Sequence, residues 1–285
     1  MDETVQRQGL KGFFDKGGFW RLLVVVIAYM AIYLGASKLP SLFGWGKGDL
    51  LSGIPTVFAQ LTFALIVGAV VLALFTGWLG WNSELYGRQR IYRSWWMWLG
   101  PILVLAPILM RVGGIDWGAR PLSIAAFVIF SGLFVGFVEE LLCRGIAVKM
   151  LRTAGHGELV VAALSSLTFA LLHSANLLSG QKLATTGLQI FYTFGFGVLM
   201  YLTLRTTRYL VVAMVLHGLT DPMGILASGG IGDAATAKDV NILLQLAGDW
   251  LFVVGFGGLI LLFFVRGVYG QLTKHGSPDT AAVSA

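Results

Sequence analysis

Long uncharged runs alternate along the chain with short segments that hold most of its charged residues. An α-helix needs about 20 apolar residues to cross a hydrocarbon layer about 30 Å thick. Runs of that kind cover about residues 19–37, 55–79, 95–109, 159–178, 185–204, 209–227 and 242–265. An eighth starts near Pro121 and continues past two glutamates. Glycine-rich or charged connectors separate the runs, and Trp78, Trp81, Trp95, Trp96 and Trp98 flank two of them as an interfacial belt. The pattern predicts an all-α, polytopic membrane helix bundle of about eight transmembrane helices. The predicted organisation is a leader over 1–18, a single transmembrane domain over 19–268 and a polar tail over 269–285. Phe13, Phe14 and Trp20, interleaved with Lys11, Lys16 and Arg21, suit the headgroup layer, and a disordered tail with an aromatic anchor suits them equally.

Composition agrees with the pattern. The 285 residues are 56% hydrophobic and 12% charged, with a mean hydropathy of +0.79; soluble domains average about 25% charged. The net charge of +6 fits basic connectors on one side of a membrane, and no nucleic-acid partner is expected. With the N-terminus inside, inner segments hold 14 of the 20 Lys and Arg and outer segments 6. Both termini are therefore expected to be cytoplasmic. Cys143 is the only cysteine, which rules out an intrachain disulfide and a cysteine metal cluster. Residues 1–18 lack the pattern of a cleaved signal peptide.

Ionisable groups at membrane depth cost about 2.5–3.5 kcal/mol on insertion scales and are functional candidates by default. The chain has three such sets. Glu139 and Glu140 end eighteen uncharged residues, 121–138, and Arg144 follows them. His173 lies one turn after Phe169, and Asp221 one turn after His217. Glu140 and Arg144, at i and i+4, share a helix face and are expected to pair. Glu139 is rotated about 100° from that face and is the better candidate for chemistry. The turn between the fourth and fifth helices is placed at Ala154-Gly155-His156-Gly157. Glu139 then lies 16 residues before Gly155 and His173 18 residues after it, so both stand about 24–27 Å from the turn on antiparallel helices. His217 lies 9 residues beyond Arg208, at the start of the seventh run, so all three sets can meet. Phe169 reads as packing that fixes the His173 ring, and Asp221 as the residue that orients His217. The plainer readings are a glutamate pair that opens a loop, a satisfied buried histidine, and a local hydrogen bond ahead of a break at Pro222.

A carboxylate and an imidazole sharing one water polarise it for attack on a carbonyl, and a second imidazole donates to the oxyanion. The same side chains could form a His₂Glu zinc site, although the HExxH signature is absent. Glu-Glu-x-x-x-Arg at 139–144, Phe-x-x-x-His at 169–173 and His-x-x-x-Asp at 217–221 resemble the three ordered motifs of the CAAX prenyl protease and bacteriocin-processing family, also called Abi. The resemblance spans about 123–226 and marks a protease-like core at about 121–228. It implies an all-helical intramembrane endopeptidase with a cavity open to the cytoplasm, and the Glu/His set is read as a metal-independent one without a cofactor. Glu139 and His173 would activate water, and His217 with Asp221 would form the oxyanion site. Glu140, Arg144 and Phe169 would support the site. The last motif position is often Asn in that family; Asp221 donates a hydrogen bond only when protonated, which favours orienting His217 instead. The expected partners are membrane lipids and a membrane-associated or lipidated peptide or protein, and the compact loops without organelle-targeting features point to a bacterial inner membrane. A non-catalytic scaffold or immunity protein, a zinc peptidase and a proton or solute carrier remain alternatives.

Overall fold

The computed structural model describes residues 9–229 and 241–270. Among them, eight helices are long and apolar enough to cross a membrane: α1 (Phe19–Leu42), α2 (Ile54–Leu79), α3 (Trp95–Gly114), α4 (Leu122–Thr153), α5 (Glu158–Ser179), α6 (Leu183–Thr207), α7 (Leu210–Ser228) and α8 (Ile242–Leu262). The described residues contain no strand. The all-helical bundle read from the hydropathy pattern is thus the fold. Most of the polar tail expected over 269–285, the first eight residues of the leader and most of the Gly/Ala-rich connector before α8 lie outside the described residues.

Apolar periodicity places every helix, but several run further than their uncharged cores. The third run ends near residue 109 in sequence, whereas α3 continues to Gly114 and carries Arg111 as a helical residue. No break occurs at Pro222, which lies inside α7. The Gly218 carbonyl, which has no Pro222 N–H to accept from, faces Gly132 of α4, and such freed groups are tolerated where a neighbouring helix covers them. The α4–α5 turn falls at the expected place, with Gly155 at φ +83°.

Helices α4 and α7 pack backbone to backbone. A Cβ on Gly136 would press on the Met214 carbonyl and lie 2.6 Å from the Gly218 nitrogen. Only glycine allows this approach, as in other membrane helix pairs whose association depends on close backbone packing. Helix α6 is the central element. It contacts α3, α5, α7 and α8, and its residues 195–206 are all buried. Helices α1 and α2 pair with each other, and α2 packs on α4.

The end of the bundle that carries the α4–α5 turn is tied by buried polar contacts. Arg152 donates to both Glu158 carboxylate oxygens at 2.8 and 2.9 Å and to Gln89 Oε1 at 2.7 Å. Tyr201 also donates to Glu158. The Glu158 N–H donates to Gly267 O at 3.0 Å and the Gly270 N–H to Arg90 O at 2.9 Å. A short helix, Gly9–Asp15, joins this end through Trp81 Nε1, which donates to Asp15 Oδ1 at 2.7 Å.

Candidate active site

Glu139 and Glu140 lie where α4 changes character. From Leu141 to Ala147 the helix widens into π-type turns, and all seven residues are buried. Such turns within α-helices are frequent at functional sites. Glu140 is fully buried and accepts from Arg144 Nη1 at 3.1 Å. Arg144 Nη2 donates to Gly197 O of α6 at 2.8 Å, and its guanidinium lies 4.6 Å above the Phe169 ring. The i, i+4 pair read from the sequence is therefore formed, and it joins α4 to α5 and α6.

Glu140 does a second thing that the spacing did not suggest. Its Oε1 lies 2.7 Å from His217 Nδ1 of α7. An ionised carboxylate only accepts, so Nδ1 carries the proton. The other edge of the ring, Nε2, lies 3.6 Å from Glu139 Oε2. His217 is thus held between the two adjacent carboxylates, with Glu140 fixing the tautomer and Glu139 facing the free edge. No hydrogen bond joins His217 to Asp221 among the described residues, and Asp221 is exposed. Orientation of the ring, expected from Asp221, comes from Glu140, because the carboxylate across the helix interface approaches Nδ1 more directly than the one a turn away.

His173 marks the point where α5 tightens into 3₁₀ turns, His173–Ser179. Its backbone N–H turns to Ala170 O, and the ring Nδ1 lies 3.1 Å from Phe169 O. A carbonyl only accepts, so here too Nδ1 carries the proton and Nε2 is the free atom. Phe169 stands edge-on to both imidazoles, with centroid separations of 5.0 Å to His173 and 5.5 Å to His217. Phe196 closes the other side of His217 at 4.9 Å. The two histidines thus flank a common aromatic wall, and Glu139 lies within electrostatic range of both.

His173, His217 and Asp221 line a cavity of about 370 Å³ enclosed mainly by α3, α5, α6, α7 and α8. Arg111, Tyr192 and Trp250 also line it. Glu139 does not line this cavity. It reaches the shared His217 ring at Nε2, keeps 24% of its side chain exposed, and lies within electrostatic range of Tyr29 and Tyr33 of α1. Among the described residues, no three His, Cys, Asp or Glu side chains converge closely enough to ligate one metal ion. The His₂Glu zinc arrangement weighed from the sequence therefore has no donor set in this geometry.

Residues 121–223 match the family model described as type II CAAX prenyl endopeptidase, Rce1-like. The match agrees with the resemblance carried by the three motifs. The Rce1-like segment runs from the start of α4 into α7 and holds Glu139, Glu140, Arg144, Phe169, His173, His217 and Asp221. No curated protein matches the chain. Helices α1 to α3 and α8 lie outside the Rce1-like segment, so Arg111 and Trp250 of the cavity wall do as well. Sequence reasoning missed Arg111 because a charge near the end of an apolar run looks like the start of a connector. Its signal was the apolar Val112-Gly113-Gly114 that follows it.

Proposed function

We propose that the chain is a multi-pass membrane endopeptidase of the glutamate type, which hydrolyses a peptide bond of a membrane-associated or lipidated protein. The observation that carries this reading is the assembly of Glu139, His173 and His217, from three helices, with the two imidazoles presenting Nε2 and bonding elsewhere through Nδ1. Tautomers fixed in this way suit opposite tasks. His173, whose Nδ1–H faces a neutral carbonyl, offers Nε2 as a proton acceptor. His217, whose Nδ1–H faces a carboxylate, donates from Nε2–H when the ring takes up a second proton.

In this reading a water held by Glu139 and His173 attacks the carbonyl carbon of the scissile bond, and its proton passes to the carboxylate–imidazole pair. The oxyanion is stabilised by the His217 Nε2–H. Collapse of the tetrahedral intermediate breaks the C–N bond, and the stored proton goes to the leaving amine. Glu140 with Arg144 holds His217 in place, and Asp221 contributes negative charge to the cavity beyond it. Low dielectric around the site strengthens each charge interaction.

The excess of Lys and Arg on alternate connectors supports cytoplasmic termini. The reading is tested in proteoliposomes with an S-farnesylated fluorogenic peptide. Glu139→Ala and His173→Ala should each remove cleavage while the proteins still insert and fold. Full cleavage by either variant would exclude this mechanism, and loss of wild-type cleavage in a chelator, restored by zinc, would transfer the chemistry to a metal.

A further inference from the structure

We propose that Arg111 is the specificity residue of the cavity and that it takes the free C-terminal carboxylate of the bound peptide. The proposal rests on the endopeptidase reading for what happens at the other end of that peptide. Helix α3 does not stop short of Arg111 but carries it as a helical residue inside the last turn, half-buried, into the cavity wall shared with His173 and His217. A charge within a membrane span faces the bundle interior or a wet cavity when it has a task. Snorkelling to an interface is the usual alternative for arginine near a helix end; here the guanidinium instead lines the cavity that His173 and His217 also line.

Among the described residues no acceptor lies within hydrogen-bond distance of the Arg111 guanidinium, and no carboxylate lies within 4.0 Å. Asp221 and Tyr192 stand within electrostatic range and face the same space. A guanidinium has five N–H donors in a planar fork that matches a carboxylate in two parallel bonds. Asp221 supplies a counter-charge without occupying the fork. Its position also fixes the spacing. Asp221 is one turn beyond His217 on α7, about 6 Å along the axis. Arg111 lines the same cavity as Asp221 and His217, where a short extended peptide with its scissile carbonyl at His217, at about 3.3–3.6 Å per residue, can bring its end to the guanidinium. Val104, Pro107, Phe196 and Val254 give the same wall an apolar stretch that suits hydrophobic side chains in that peptide.

A lipid phosphate could satisfy the same fork, and the experiment separates the two. The probe is a fluorescein-labelled, S-farnesylated heptapeptide made both as the free acid and as the C-terminal amide. Binding is measured by anisotropy on the full chain in detergent carrying Glu139→Gln, so that turnover does not enter. The acid is expected to bind about tenfold or more tightly than the amide, the size of one charge-assisted pair. Adding Arg111→Gln should bring the acid down to the affinity of the amide and leave the amide unchanged; Arg111→Lys should keep part of the difference. Equal affinities for acid and amide, equal losses for both on Arg111→Gln, or no binding of either overturn the proposal, and equal affinities are what phosphate occupancy predicts. The acid–amide comparison needs no change at Arg111 and so holds even if its variants fold poorly. Acid-selective binding without cleavage by the wild type would remove the endopeptidase reading and keep the carboxylate site. Equal cleavage of acid and amide would do the reverse.

Discussion

Glu140→Ala perturbs two partners at once, and its effect is separable. The carboxylate is fully buried, accepts from Arg144 at 3.1 Å and from His217 Nδ1 at 2.7 Å, and leaves Arg144 with no other anion. Removing one member of a buried ion pair costs about 3–5 kcal/mol because the other charge stays buried. Arg144 retains Gly197 O at 2.8 Å and the Phe169 ring at 4.6 Å, and its contact with Glu140 is through a single nitrogen, so about 3 kcal/mol is expected. Arg144→Met should cost a similar amount. Glu140→Ala/Arg144→Met removes both charges and should recover about 2 kcal/mol relative to the sum of the single changes. Peptidase activity should stay lost in the double variant, because His217 has no carboxylate to hold its tautomer. The structure supplies the assay. Cys143 is the only cysteine and is fully buried beside the pair, so its modification by a thiol-reactive dye reports unfolding. Urea titrations in detergent, read by Cys143 labelling, give the four stabilities of the cycle. Additive losses would show that Glu140 and Arg144 are not coupled, and recovered activity in the double variant would show that Glu140 does not act through His217.

Three further outcomes are expected. Gly136→Val should force α4 and α7 apart, since even a Cβ lies 2.6 Å from the Gly218 nitrogen, and should remove activity together with several kcal/mol of stability, about 1–3 or more, in the same Cys143 titration. Phe169→Ala should cost about 3–5 kcal/mol, from the emptied buried ring site, and raise dye access to Cys143 at low urea. Glu158→Ala should cost about 3–5 kcal/mol by leaving Arg152 without its bidentate partner, and peptide binding in detergent should survive it, because this pair lies at the α4–α5 turn and not at the cavity.

Helix placement was legible because lipid admits few alternatives. A span must be apolar, long and internally hydrogen-bonded, so the runs of the sequence translate directly into α1 to α8. The position of the α4–α5 turn followed from glycines alone, and equal counting from it put Glu139 and His173 at one depth. Helix ends were less legible. Arg111 and Pro222 each look like a terminus to a reader of single residues, yet a cavity accepts the first and a neighbouring helix covers the second.

The sequence by itself determined the class of the protein, the order of its spans and the split of the glutamate pair, because helical periodicity forces Glu140 toward Arg144 and turns Glu139 away. Tertiary structure decided which atoms meet. Spacing along α7 offered Asp221 as the partner of His217, but the packing of α4 against α7 through Gly136 brings Glu140 to Nδ1 instead. Periodicity fixes which residues share a face of one helix. The contact between two helices depends on how closely their backbones approach and on the widened turns after Glu140, and neither quantity is written in the spacing of any single segment.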